Sequence, residues 1–555
     1  MSKIRISQPL SCALLVLAIA VLTAATSQAQ TFSVLHNLGS GFLDPQTPVS
    51  PGTMSQGSDG VLYTTSAGGG NYPQEGTVFK ITPGGQVTLL YSFGGTFVFA
   101  EGAGPGGGLT LGTDGNFYGT TFSGGIYDEG IVFKITPGGT LTKIYDFADG
   151  SDGGNPSAAP IQGTDGSFYG TASVGGANHY GTVYKITASG KLTTIHNFAF
   201  GEGNDPNGPL VQGKDGNFYG TTTGGGPYGN IGTVFKVTPS GKLTTLYFFD
   251  GVHGAEPYAG LVLGSDGNFY GTTFLGGSNQ RGVVFKMTPT GKVTVLYNFC
   301  PVAGCADGEY IFSGLVQATD GNFYGVASNG GTLQGYGTIY RITSTGTFSV
   351  LYTFDLTTGA TPVTLMQHTN GLLYGETEAG NTGVYGTFYS LDMGLAPFVT
   401  FLPQQSPAKI GAFLGIFGQG FTGTTSVSFG GIPATFTVSS DTYLTATVPP
   451  GALTGAITVI SPGGNLTSNR IFLVTPQIKG FSPTSGAVGT QVQIMGAGLT
   501  QTIKATFGGV KATTFTVNSD TQVTATVPTG AKTGKVSIFT TGGSATSSAT
   551  FTVTP

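Results

Sequence analysis

The sequence predicts an all-β protein: a seven-bladed β-propeller followed by two immunoglobulin-like β-sandwiches. Three observations predict it. A five-residue tag recurs seven times between residues 59 and 374, at spacings of 50 to 55 residues. Each period holds four short runs rich in Val, Thr, Phe and Tyr, bounded by turn residues. After Pro397 a different pattern sets in and repeats about 79 residues later, at Pro476. Composition agrees, because 97 of 555 residues are glycine and 8% are charged, yet 39% are hydrophobic, enough to build cores that a disordered Gly-rich chain lacks.

Residues 1–29 read as a signal peptide. Lys3 and Arg5 supply a positive start, residues 12–23 an apolar stretch, and Ser27-Gln28-Ala29 a small-residue cleavage site before Gln30. The apolar stretch is shorter than the ~20 residues a membrane helix needs. Cys12 stands ahead of the apolar core, the wrong place for a lipoprotein cysteine. No second long apolar run follows, so the mature chain is expected to be exported, extracellular or on the cell surface, without membrane insertion. Export makes Cys300 and Cys305 a small loop-closing disulfide. Two cysteines alone make a poor metal site. The net charge of −5, with Lys and Arg scattered along the repeats, excludes nucleic acid, which needs a concentrated basic surface.

The tag runs Asp59–Tyr63, Asp114–Tyr118, Asp165–Tyr169, Asp215–Tyr219, Asp266–Tyr270, Asp320–Tyr324 and, degenerate, Asn370–Tyr374. A period near 50 residues with four strands signals a propeller blade. In the fourth copy the strands are expected at 208–212, 218–222, 232–238 and 243–249, joined by Asp-Gly and Ser-Gly turns. The third strand occurs seven times, but no fourth strand follows its last copy. Residues 31–36 (TFSVLH) nearly reproduce 347–352 (TFSVLY), a genuine fourth strand. The N-terminal strand, 31–38, should therefore complete the last repeat and close the ring. The predicted divisions are a propeller over 30–396 and sandwiches over 397–475 and 476–555.

The runs GTDGNFYGTT (112–121) and GTVFKITPGG (76–85) resemble the bacterial GloVer tandem repeat of choice-of-anchor exported proteins. The resemblance covers 31–392 and implies an extracellular location with no established activity. The two C-terminal segments resemble IPT/TIG domains. They share Phe429-Gly430-Gly431 with Phe507-Gly508-Gly509, and Ser440-Asp441-Thr442 with Ser519-Asp520-Thr521. Thr-Ala-Thr-Val alternation in both suits a half-buried sandwich strand.

Loops of variable length are where binding resides on a rigid scaffold. The loops between second and third strands carry Tyr72, Tyr127, Tyr180, Tyr228, Tyr336 and Tyr385, with Arg281 in the remaining copy. Such a ring can stack on sugar faces, or each residue can pack between neighbouring blades. The loops between fourth and first strands carry Glu101, Asp149, Asp152, Glu202, Asp205, Glu256, Asp307 and Glu309. No cofactor or metal is expected: these acids read as solvated turn residues, with a calcium ion as the alternative. The Asp-Gly-Asn tag lacks the ligand ladder of a calcium loop and reads as a hairpin turn. The five histidines are scattered, with His36 and His196 standing where other fourth strands carry Tyr. No nucleophile elbow or His-Glu-x-x-His motif occurs, so no catalytic residue is assigned. The expected function is therefore extracellular binding or scaffolding through the variable-loop face, toward a glycan or protein. The alternatives are a carbohydrate-active hydrolase or lyase and a structural matrix component. Oligomeric state leaves no sequence signal.

Overall fold

Short runs of Val, Thr, Phe and Tyr between turn residues form the strands, and within 31–392 these pair antiparallel. The computed structural model describes residues 30–41, 43–48, 53–72, 74–94, 101–332, 335–380 and 385–555; the predicted signal peptide lies outside them. Among these residues, 31–392 form seven antiparallel sheets of four or five strands. The fourth repeat contains Val211–Gln212, Phe218–Thr222, Thr233–Val237 and Leu243–Phe248, hydrogen-bonded in that order. Its first strand is shorter than expected. Pro209 has no N–H to give a ladder. A Cβ on Gly208 would lie 2.6 Å from the Gly260 nitrogen, so this stretch packs backbone to backbone on the next repeat.

The second and third strands are buried on both faces. In Thr233–Val237 only Lys236 is not buried, and Phe218–Thr222 is wholly buried. In six of the seven repeats the glycine inside the second strand is covered by a ring from the third, the first repeat carrying Thr64 there. A Cβ on Gly220 would lie 2.6 Å from Phe235 Cζ, a device that protects a strand glycine. Successive sheets then stack through a tyrosine and the next repeat's phenylalanine: Tyr118 on Phe168 at 3.8 Å, Tyr169 on Phe218 at 3.9 Å and Tyr270 on Phe323 at 3.9 Å.

The first and seventh sheets share an apolar cluster of Met54, Leu62, Tyr374 and Phe388, with Leu62 where repeats two to six carry phenylalanine. Thr31–Asn37 pairs antiparallel with Thr387–Asp392, as the duplicated sequence predicts. Gln162 accepts from the Thr113 N–H, Gln212 from Thr164, Gln317 from Ser265 and Gln367 from Thr319. Gln56 of the first repeat accepts from Thr369 of the seventh at 3.1 Å. His368 at the same seam is buried and holds the Gly60 carbonyl at 3.0 Å.

Residues 400–467 form two four-stranded sheets around Phe401, Phe429 and Phe472, and 477–553 form a four- and a five-stranded sheet around Ile494, Phe507 and Phe551. The first pair of sheets sits on the tight turns of the repeats. The Ser440 and Thr442 hydroxyls donate to the Ser58 carbonyl, Gln404 to Gln162, and Gln419 to Thr369. Phe417, with half-buried Leu402 and Tyr443, joins the apolar cluster of Leu111 and Phe117. Gly60 is required here twice over: its φ is +73°, and a Cβ would lie 2.7 Å from Thr442 Cγ2.

Candidate functional site

The opposite end of the repeats is built on one recurrent backbone device. Every repeat has a left-handed residue on the approach to its first strand or at that strand's start: Thr47, Gly104, Asn155, Asp205, Glu256, Tyr310 and Thr361, with φ between 51° and 60°. Proline follows all of them except Tyr310, which precedes Ile311. The N–H of this residue donates to the preceding repeat's second-to-third loop: Gly104 to Glu75, Asn155 to Glu129, Glu256 to Ile231, Tyr310 to Arg281 and Thr361 to Tyr336. Thr47 donates to the Tyr385 carbonyl at 2.8 Å, so the first and seventh repeats are latched at this end as well. Left-handed backbone on non-glycine residues costs about 1–3 kcal/mol each and concentrates at sites the surrounding structure holds rigid.

This latch sorts the expected tyrosine ring into two sets. Arg281, Tyr336 and Tyr385 are latch residues, and Tyr180 holds the same place before Gly181. Tyr180 faces Phe200 with ring centroids 5.6 Å apart. Tyr72, Tyr127 and Tyr228 lie two or three residues earlier, at the loop tips. Tyr127 and Tyr228 are 59% and 60% exposed. The seven residues thus share a face without occupying one equivalent position.

The acids divide similarly. Glu101, Asp152, Glu202 and Asp307 accept from the fourth-strand residues Tyr91, Tyr145, His196 and Tyr297. Burial first, then Asp152, pushes the Tyr145 phenol up to about 12. His36 and His196 take the tyrosine's part, pairing with Asp44 at 3.1 Å and Glu202 at 3.0 Å. Burial pushes Asp205 up, whereas Glu309 pairs with Arg281 at 3.2 Å. At the other end each tag aspartate closes its own turn. Asp215 accepts from the Tyr219 hydroxyl and from Asn217 backbone and side chain. Burial opposes its ionisation, but these bonds outweigh it and hold the carboxyl below the usual range. The disulfide Cys300–Cys305 is formed, with Cα atoms 4.2 Å apart, beside Asp307 and Glu309.

Sequence reasoning missed one cluster. Phe274 contacts Phe312 at 4.4 Å, Tyr310 at 5.0 Å and Tyr258 at 5.5 Å, and Tyr258 contacts Phe312 at 5.3 Å. Arg281 lies over the Tyr310 ring at 5.0 Å. All are half-buried. The signal was present in the place after the left-handed pair. It holds Ser157, Asn207 and Val363 elsewhere but Tyr258 and Phe312 in the fifth and sixth repeats.

Among the described residues no helix is long and apolar enough to cross a membrane. No curated protein matches the chain. Similar solved structures include PorZ, a surface component of the type-IX secretion system of Porphyromonas gingivalis. It has 15% identity and a TM-score of 0.42, over 78% of this chain and 60% of that one, so the chain spans about three-fifths of PorZ. A surface glycan-binding protein of Prevotella bryantii matches 28% of this chain and 38% of its own at 17% identity and a TM-score of 0.21. A copper-bound fungal alcohol oxidase matches 92% and 98% at 12% identity and a TM-score of 0.41. No enzyme family is identified. Residues 476–553 match the IPT/TIG domain. Three overlapping stretches, 50–262, 157–389 and 228–435, match the Gloeobacter/Verrucomicrobia repeat, and with more than half of its length so covered the chain belongs to the Gloeobacter/Verrucomicrobia repeat family.

Proposed function

We propose that the chain is an exported surface protein whose seven sheets are the blades of one closed β-propeller over 30–396, which binds an extracellular glycan through its variable-loop face. The two sandwich modules, 397–475 and 476–555, act as a spacer. The observation that carries this reading is the division of labour between the two ends. The turn end is engaged by the C-terminal residues at Ser58, Gln162 and Thr369. The loop end keeps Tyr127, Tyr228 and Tyr385 exposed on latched backbone. Exposed tyrosines on a rigid frame offer planar apolar surface with a hydrogen-bonding tip at little entropic cost.

The test is a glycan array probed with the mature chain, with and without calcium, beside a Tyr180→Ala/Tyr228→Ala variant. Retention of a glycan that the variant loses is the expected result. A blank array under both conditions rejects a glycan ligand and leaves a protein partner. Release of reducing ends from a retained glycan shows a hydrolase instead.

A further inference from the structure

We propose that the aromatic cluster of Tyr258, Phe274, Tyr310 and Phe312 is a sugar subsite, taking the flat face of an all-equatorial pyranose residue within a β-linked chain. It rests on the loop-face glycan reading above and locates the contact within that face.

The position of the rings carries it first. The rings stand outside the buried clusters that hold the fifth and sixth repeats together, which centre on residues such as Phe285, Phe299 and Tyr340. The fold does not require them, because other repeats place Ser157, Asn207 or Val363 where Tyr258 and Phe312 stand. Ser157 and Asn207 are themselves hydrogen-bonded at 2.9 Å, so the third and fourth repeats also meet at this position. In the fifth and sixth repeats that contact is aromatic.

The backbone beneath is also exceptional. Tyr310 is left-handed at φ 57°, where the other repeats use Thr, Gly, Asn, Asp or Glu, and Ile311 replaces the following proline. A bulky residue held there is a genuine outlier, and such outliers gather at ligand sites. Polar groups border the rings in fixed positions. Arg281 is held between the Glu309 carboxylate and the Tyr310 face. Glu256 and Asp205 lie close enough to the Tyr258 phenol to reinforce its burial in raising its pKa. An apolar surface edged by oriented charged groups matches a ring whose faces are C–H and whose edges are hydroxyls. The disulfide closes the loop that leads into Glu309 and Tyr310, holding that edge in place.

The experiment uses the mature full-length chain with cellohexaose, xylohexaose and chitohexaose as probes. Binding is detected by saturation-transfer difference NMR and quantified by calorimetry. Two variants are compared with wild type: Tyr258→Leu/Phe312→Leu, which keeps apolar volume and removes the rings, and Tyr258→Asn/Phe312→Ser, which installs residue types found in sister repeats. Tyr127→Ala/Tyr228→Ala changes the loop tips instead. Binding of at least one hexaose is expected, weakened about tenfold or more by both cluster variants. Full affinity in cluster variants with unchanged circular dichroism and thermal midpoint overturns the subsite. If the tip variant alone then loses binding, the loop-face reading stands without it. No transfer from any of the three hexaoses also overturns the subsite, and the array separately decides the wider reading.

Discussion

At the residue scale, Glu376 is the sharpest departure from the repeat pattern. Its place in the second strand is held by Thr120, Thr221 and Thr272 in other repeats, whose hydroxyls donate to Ala158, Ala259 and Ser313 carbonyls of the next repeat. Glu376 is buried and receives only the Thr64 hydroxyl, at 3.5 Å; among the described residues its Oε1 has no hydrogen-bond partner. Burial pushes its carboxyl up from 4.5 to about 8. The folded protein therefore keeps a proton that the unfolded chain releases. The stability tied to that proton is full below about 4.5 and is lost as pH rises through about 8. Glu376→Thr should stabilise the fold by about 1–3 kcal/mol at pH 8 and by much less at pH 5, raising the thermal midpoint accordingly. Thermal melts of both proteins at the two pH values check this. An equal gain at both would show that the carboxyl is not held protonated.

At the element scale, closure of the seventh sheet rests on the N-terminal strand. Phe32 stacks on Tyr352 of the sixth repeat at 3.7 Å and 7°, and meets Tyr389 at 5.3 Å. Removing residues 30–37 would leave Thr387–Asp392 as an open edge, a template for pairing with other chains. The truncated protein should melt at lower temperature and self-associate on size exclusion, and Phe32→Ala alone should cost about 2 kcal/mol. A truncated chain that stays monomeric with the wild-type midpoint would contradict that role. This closure was legible because TFSVLH and TFSVLY are nearly the same strand. The left-handed latches were not legible, because they are backbone bonds made by Thr, Gly, Asn, Glu or Tyr alike. For the same reason the tyrosine ring looked uniform. Loop lengths differ, so matching by residue type set Tyr127 beside Tyr180, although only Tyr180 sits at the latch. Tyr258, Phe274, Tyr310 and Phe312 come from three separate loops, and only the fold brings them together.

At the scale of the whole molecule, one turn joins successive units. Ser440-Asp441-Thr442 docks on Ser58 of the repeats, and the equivalent Asp520 accepts from the Gly451 N–H of the module before it at 3.2 Å. Both motifs were visible in the sequence, but their docking surfaces were not. The recipients are backbone groups, a Ser58 carbonyl and a Gly451 amide. The outcome is a polar array in which the tight-turn end of the repeats is occupied and the variable-loop end points away from the modules. Hydrogen exchange of the mature chain with and without a glycan retained on the array tests that arrangement most directly. Protection confined to the loops around Tyr127, Tyr228, Phe274 and Tyr310, with the tag turns and C-terminal modules unchanged, is the predicted result. Protection at the tag turns or in residues 397–555 would place binding at the other end and contradict the account.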